Sequence, residues 1–392
     1  MEERARSRAR GRRKGRQESY FDYSLLFIII FLLCFGVVMI YSASSYEAQS
    51  EFGNAYYYTK KEMIAGGMGF VLMLLISRLD YHIWFKLSTL AYVVSLVLIP
   101  MVLTPLGMEA NGARRWIKLF LPGFTLQPAE VAKLGCILFF SYMICKLGKK
   151  VRSPRAVIML FVLMAIPAGM VLVITKNMSS AIIIAGIWFL MLYVSTPGYK
   201  YYLLLAAVAV AGVVLMIYAL TSGIIKEDSS FRFARIMAWL DPEAYPDTKG
   251  FQTLQALYAI GSGGILGKGL GASMQKLGFL PEAQNDFIFS IICEELGLFG
   301  AAAVILLFLM MIWRFMIIAN NAPDLYGALL VVGVMAHIAI QVILNIAVVT
   351  NSMPNTGISL PFISYGGSSI MFLMFEMGLV LSVSKKIKLD NV

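Results

Sequence analysis

Ten apolar runs, each about as long as a bilayer is thick, limit what this chain can fold into before any motif is read. A helix rises about 1.5 Å per residue, so about 20 apolar residues cross the hydrocarbon core. Such runs cover residues 22–45, 62–78, 82–103, 127–146, 156–175, 179–195, 201–221, 287–313, 326–349 and 367–384. The expected fold class is therefore an all-α integral membrane protein with ten transmembrane helices. Composition agrees: 59% of the 392 residues are hydrophobic and 14% charged, with a mean hydropathy of +0.77, which excludes disorder.

Charge gives orientation. The chain carries +11, and its first twenty residues hold eight Arg or Lys against three Glu. Next to a span, such a basic tail (1–20) reads as a cytoplasmic end touching anionic lipid rather than as a nucleic-acid arm. The run Tyr23 to Tyr41 is long enough to span, so it is not read as a cleaved signal. Ten crossings then return the C-terminal tail (385–392) to the inside. The short inside loops would hold Arg78, Lys146, Lys149, Lys150, Arg152, Arg155, Lys200 and Arg314, as the positive-inside rule requires. Residues 21–384 form the membrane domain, in which a long extracytoplasmic loop (222–286) joins spans seven and eight. The loop is rich in glycine yet apolar, so short helices dipping into the bilayer are expected there and in the irregular stretch 351–369. No internal repeat is evident, which weakens a transporter built on inverted halves.

Four cysteines, all within apolar runs, suggest no disulfide framework, and two histidines (His82, His337) are too few for a His/Cys metal cage. Each histidine reads as a satisfied polar residue at a helix end or within the bundle. A divalent cation, Mg or Mn, held by carboxylates and substrate phosphates stays compatible with the composition.

The candidate chemistry lies in charges at and inside the spans, where ionisable groups are costly and functional by default. Asp286 opens the eighth span, a position that suits both a helix cap and a catalytic base. Glu282, four residues earlier, reads as a loop residue, a cation ligand or a group tuning Asp286. Glu294 and Glu295 lie deeper in the same span and should pair with buried Lys or Arg. Glu130 and Lys133, three apart, share a helix face as an ion pair beside a polar cavity. Arg114, Arg115 and Trp116 form an outer basic cluster, a solvated turn or a seat for an anionic headgroup. Arg232 and Arg235, ahead of Trp239, repeat that chemistry on the long loop. The run Gly263 to Gly269 has the wrong spacing for a nucleotide loop, so no nucleotide or organic cofactor is expected. Its glycine-rich backbone could still lie near phosphate oxygens.

Taken together these segments resemble the SEDS family (shape, elongation, division and sporulation) of peptidoglycan glycosyltransferases, from about Tyr20 to Ser384. The resemblance rests on Asn111 to Ile117, Gln127 to Lys133, Gln255 to Gly264, Leu280 to Gly297 and Leu360 to Ser369, in that order. The compact Gly267 to Gly271 followed by Gln275-Lys276, together with Asn345 to Thr350, is similar to the FtsW/SpoVE branch. The chain departs from the family at Lys176 to Ser180, where Asn177 stands in place of an acid. The resemblance implies polymerisation of lipid II at the outer face of the bacterial cell membrane, for division at the septum or for sporulation. It further implies Asp286 as general base, with Arg114, Arg115, Lys133 and Arg235 on the diphosphates. Glu130 would position Lys133, and Trp116 the headgroup. Expected partners are lipid II, a class B penicillin-binding protein acting as transpeptidase, and other division proteins. Two readings compete with this enzyme: a lipid II translocase without chemistry, and a structural division scaffold.

Overall fold

The computed structural model describes residues 20–110, 113–118, 125–196, 231–245 and 249–387, together with 207 and 211. Helices occupy nine of the ten predicted spans: α1 (Tyr23–Phe52), α2 (Tyr57–Arg78), α3 (His82–Leu98), α4 (Pro128–Leu147), α5 (Pro154–Val173), α6 (Met178–Ser195), α9 (Ile288–Asn320), α10 (Leu325–Val349) and α11 (Ser368–Ser384). The seventh predicted span, 201–221, lies outside the described residues apart from 207 and 211. Among the described residues, seven helices are long and apolar enough to cross a membrane. The described part of the long loop holds α7 (Phe231–Leu240) and α8 (Lys249–Gly263).

One element departs from the all-helical expectation. Residues 107–126 form a small antiparallel sheet of β1 (Gly107–Ala110), β2 (Ala113–Lys118) and β3 (Thr125–Leu126), in the order β1-β2-β3. Glu109 faces Arg114 across the ladder and the two side chains pair at 3.4 Å, an opposite-charge cross-strand contact. The stretch 114–116 is therefore strand, not turn.

Helix ends define two poles. At one, Asp22 caps α1 and accepts from Arg314 of α9 at 2.7 Å. There too, Lys386 meets Asp80 at 2.9 Å, and His82 bridges Asp80 and Asp324 at 2.7 and 3.1 Å. The backbone amide of His82, then Lys386, holds the Asp80 carboxyl well below the usual carboxylate range. These are the chain segments predicted to face inside. The sheet, α7, α8, 281–287 and 351–367 gather at the other pole, linked by contacts such as Trp239 to Asn351 and Gln252 to Pro281.

Within α9 the backbone breaks at Gly297 (φ 67°, ψ −162°). A break would strand the Glu294 and Glu295 carbonyls and the Leu298 and Phe299 amides, which water cannot reach at membrane depth. The long loop supplies substitutes. Lys268 and Gly269 amides donate to Glu294 and Glu295, while Leu298 and Phe299 donate to Gly264 and Ile265, all at 2.9–3.3 Å. The approach is so close that a Cβ on Gly267 would fall 2.2 Å from the Glu295 carbonyl oxygen. The two carboxylates complete the clamp. Glu294 pairs with Lys268 at 2.7 Å, and Glu295 pairs with Lys276 at 2.8 Å and accepts from Ser42 of α1. Both glutamates are fully buried and paired, as expected from their sequence positions. The glycine run is thus a backbone partner for a broken helix, and its Lys268 and Gly269 amides are not open to phosphate.

Gly267→Ala should unfold this clamp, because the new methyl meets a backbone carbonyl. Gly264→Ala, also at positive φ but with open space around it, should cost only about 1–2 kcal/mol of backbone strain. Monodisperse, folded protein in detergent, measured by size exclusion and thermal melting, should survive only in the second variant.

Candidate active site

Asp286 lies in the irregular turn 281–287, two residues before the start of α9 at Ile288. The N-cap position itself falls to Phe287, which makes no side-chain cap bond. The turn is bent at Glu282, whose φ of 58° is left-handed, and the Glu282 carboxylate accepts from the Asn285 side-chain amide. The Asp286 carbonyl accepts from Asn345 of α10 at 2.8 Å. Its carboxylate faces Gly357, where a Cβ would come 3.1 Å from Oδ2.

The outer basic cluster is divided by the strand it sits on. Alternation along β2 sends Arg114 and Arg115 to opposite faces. Arg114 is half-exposed and pairs with Glu109. Arg115 is partly buried and donates to the carbonyls of Thr175 at 3.3 Å and Lys176 at 3.1 Å, just before α6. Burial lowers its pKa, and the Asp286 charge opposes that shift. Arg115 is thus fixed on the turn before α6, whose Ser179 holds the Thr356 carbonyl beside Gly357 and the Asp286 carboxylate. Trp116 follows Arg114's side of the strand and is partly buried. Arg235 falls in α7, but its side chain, like that of Arg232, lies outside the described residues.

Glu130 and Lys133 form the expected ion pair, at 2.7 Å, with side chains 8% and 2% exposed. Lys133 also donates to Gln341 of α10 at 3.4 Å, and Gln341 donates to the Ser359 carbonyl at 3.0 Å. The pair is sealed beneath the site and reaches the irregular segment through α10. Asn177, in place of the family's acid, caps α6 by accepting the Ser180 amide at 3.1 Å. Ser179 in the same turn donates to the Thr356 carbonyl at 2.7 Å, next to Gly357. His82 is satisfied at a helix end, as expected. His337 is only half satisfied: Nδ1 meets Glu376 at 2.8 Å within the bundle, while its buried Nε2 has no hydrogen-bond partner.

Sequence reasoning missed Gln341, Asn345 and Gly357. The signal was present: His337, Gln341 and Asn345 recur every four residues, a polar stripe along one face of an apolar helix. Gln284 Oε1, Asn285 Oδ1, Asn345 Oδ1 and Thr356 Oγ1 are buried atoms without a hydrogen-bond partner around Asp286. Among the described residues no three His, Cys, Asp or Glu side chains gather as a cation cage. Among those residues, then, a divalent ion has no all-protein cage.

A multi-span helical membrane protein with a carboxylate and an arginine gathered at one pole of the bundle defines the class. A model of the family described as cell cycle protein, FtsW/RodA/SpoVE, matches residues 23–389. Stage V sporulation protein E of Bacillus subtilis (strain 168) is 36% identical over 365 residues, 93% of this chain and 97% of that protein. The probable peptidoglycan glycosyltransferase FtsW of Trichlorobacter lovleyi is 37% identical over 370 residues, 94% of each. Two solved structures share the fold. One is a chain of a peptidoglycan synthase complex described for its structural coordination of polymerization and crosslinking. It has a TM-score of 0.75 and 26% identity, covering 94% of this chain and 99% of that one. The other is the rod shape determining protein RodA of Thermus thermophilus, at 0.67 and 25%, covering 94% and 97%. The chain belongs to the FtsW/RodA/SpoVE family.

Removing one member of the sealed pair leaves a charge stranded. Lys133→Met should cost about 3–5 kcal/mol, and adding Glu130→Gln should recover much of it. Thermal midpoints in detergent check this: a single variant as stable as wild type would contradict the burial argument.

Proposed function

We propose that the chain is a peptidoglycan glycosyltransferase that polymerises lipid II at the outer face of the bacterial cell membrane. The observation that carries this reading is the Asp286 carboxylate, coupled to Arg115 and ringed by buried polar atoms at one pole of the bundle. A sugar hydroxyl is a poor nucleophile. Asp286 accepts the proton of the acceptor 4-hydroxyl as its oxygen bonds to the donor's anomeric carbon. The electron pair of the breaking anomeric C–O bond leaves with undecaprenyl diphosphate, already a stable anion. Cationic groups can therefore replace the second carboxyl that glycosidases use.

Arg115, braced by two carbonyls, presents a planar fork suited to phosphate oxygens. Arg114 and Trp116, on the other face of β2, serve the headgroup at the rim. Glu282 shapes the turn that carries Asp286, and the Glu130–Lys133 pair supports the site from below. A divalent cation enters with the substrate's diphosphate. Crosslinking would fall to a class B penicillin-binding protein, in keeping with the relative found in a synthase complex. Other division proteins would place the pair at the septum, or at the forming spore.

The translocase reading has buried ionisable groups in its favour, since Glu130, Lys133, His337 and Glu376 lie within the bundle. These are closed pairs, and Asp286 stands apart from them at the pole. Purified protein with lipid II and Mg or Mn decides between the two. Wild type should form glycan, and Asp286→Asn should lose at least about 100-fold, the usual worth of a general base. Arg115→Ala should lose more activity than Arg114→Ala. Undiminished polymer from Asp286→Asn, at equal folded amount, rejects the base; headgroup flipping without polymer selects the translocase.

Sidedness is checked in whole cells. In a background without native cysteines, Glu109→Cys should react with an impermeant maleimide, and Lys386→Cys only after lysis. The reverse pattern would put the site on the cytosolic face and end the proposal.

A further inference from the structure

Asn345 is a fully buried amide about five-sixths of the way along α10, at the end of the polar stripe begun by His337 and Gln341. Its Nδ2 donates to two carbonyls from different parts of the chain: Asp286 at 2.8 Å and Ile358 at 2.7 Å. One precedes α9, and the other lies in the irregular segment that leads to α11. The amide therefore staples the turn holding the carboxylate to the segment holding Gly357.

That segment has little regular structure of its own, and side chains fix its carbonyls one by one. Ser179 takes Thr356, Asn345 takes Ile358 and Gln341 takes Ser359. At Gly357 the backbone is left-handed (φ 67°), and a methyl there would press on Asp286 Oδ2 at 3.1 Å. The Gly357 backbone thus forms a wall against the carboxylate, and Asn345 ties carboxylate turn and wall together.

We propose that Asn345 is the positioning residue for Asp286: its two hydrogen bonds set the distance between the base and the Gly357 wall. It touches neither sugar nor phosphate. Its effect on the reaction passes through the placement of the Asp286 oxygens. The inference rests on Asp286 being the base, and it adds how that base is aimed.

Misplacement of a catalytic group by about 1 Å costs on the order of 100-fold in rate. Asn345→Ala should therefore lower kcat, per folded enzyme, by about 10- to 100-fold. KM for lipid II should stay within about twofold, because Arg115 and the headgroup contacts remain. Gly357→Ala, which pushes on the same oxygen from the other side, should show the same split. Joining Asn345→Ala to Asp286→Asn should lower activity no further than Asp286→Asn alone, since an absent base cannot be misaimed. A merely structural amide would instead lower the folded fraction and leave kcat per folded molecule intact. Wild-type kcat in whichever of Asn345→Ala and Gly357→Ala folds would overturn the inference, as would a tenfold further loss in the double variant. Retained polymerisation by Asp286→Asn alone would overturn the base itself. A dead Asp286→Asn beside a fully active Asn345→Ala would remove only the positioning role.

Discussion

The exchange of backbone hydrogen bonds at Gly297 is the constraint on which the pole carrying Asp286 depends. A broken helix inside a membrane protein is tolerable only when the freed carbonyls and amides find protein partners. Here four of them are met by residues 264–269, and the carboxylates of Glu294 and Glu295 draw in Lys268, Ser273, Lys276 and Ser42. The long loop is thereby locked into α9 rather than spread over the surface. The first part of α9, with Asp286 at its head, becomes a rigid block tied to α1 and to the loop. Were the break closed, the loop would have no seat, and the turn 281–287 would lose its footing.

Polar groups above the clamp follow the same logic of complete pairing. Carbonyls of the irregular segment are taken by Ser179, Gln341 and Asn345, and Gln341 is itself met by Lys133 with Glu130 behind it. Strain is left where the chemistry is expected. Among the described residues, four non-glycine positions have positive φ: Lys176, Glu282, Asn351 and Phe362. Lys176 and Glu282 belong to the two stretches that carry Arg115's carbonyl partners and Asp286. Asn351 and Phe362 bracket the segment around Gly357. Left-handed backbone at such residues persists only where its surroundings over-determine it.

Much of this was legible in the sequence, because burying charge in a membrane leaves few options. Continuous apolar runs located the helices, and the three-residue spacing of Glu130 and Lys133 required their pairing. Glu294 and Glu295 had to find cations, and Lys268 and Lys276 proved to be those cations. The remainder depends on contacts between distant segments. Nothing local in Gly263 to Gly269 says that its amides serve a helix thirty residues on. The alternation that separates Arg114 from Arg115 appears only once β2 pairs with β1. Asn345 reads as one more polar residue until its two carbonyls are brought to it by the fold.

The central claim is that Asp286 and Arg115 face the reacting ends of lipid II, and a structure with the substrate in place tests it most directly. Cryo-electron microscopy of the chain bound to lipid II and a non-transferable donor analogue should find the acceptor 4-hydroxyl about 2.6–3.2 Å from an Asp286 oxygen. The donor diphosphate should lie against the Arg115 guanidinium. Sugars seated at the opposite pole, or a diphosphate held by other cations with Asp286 turned from the hydroxyl, would contradict the account.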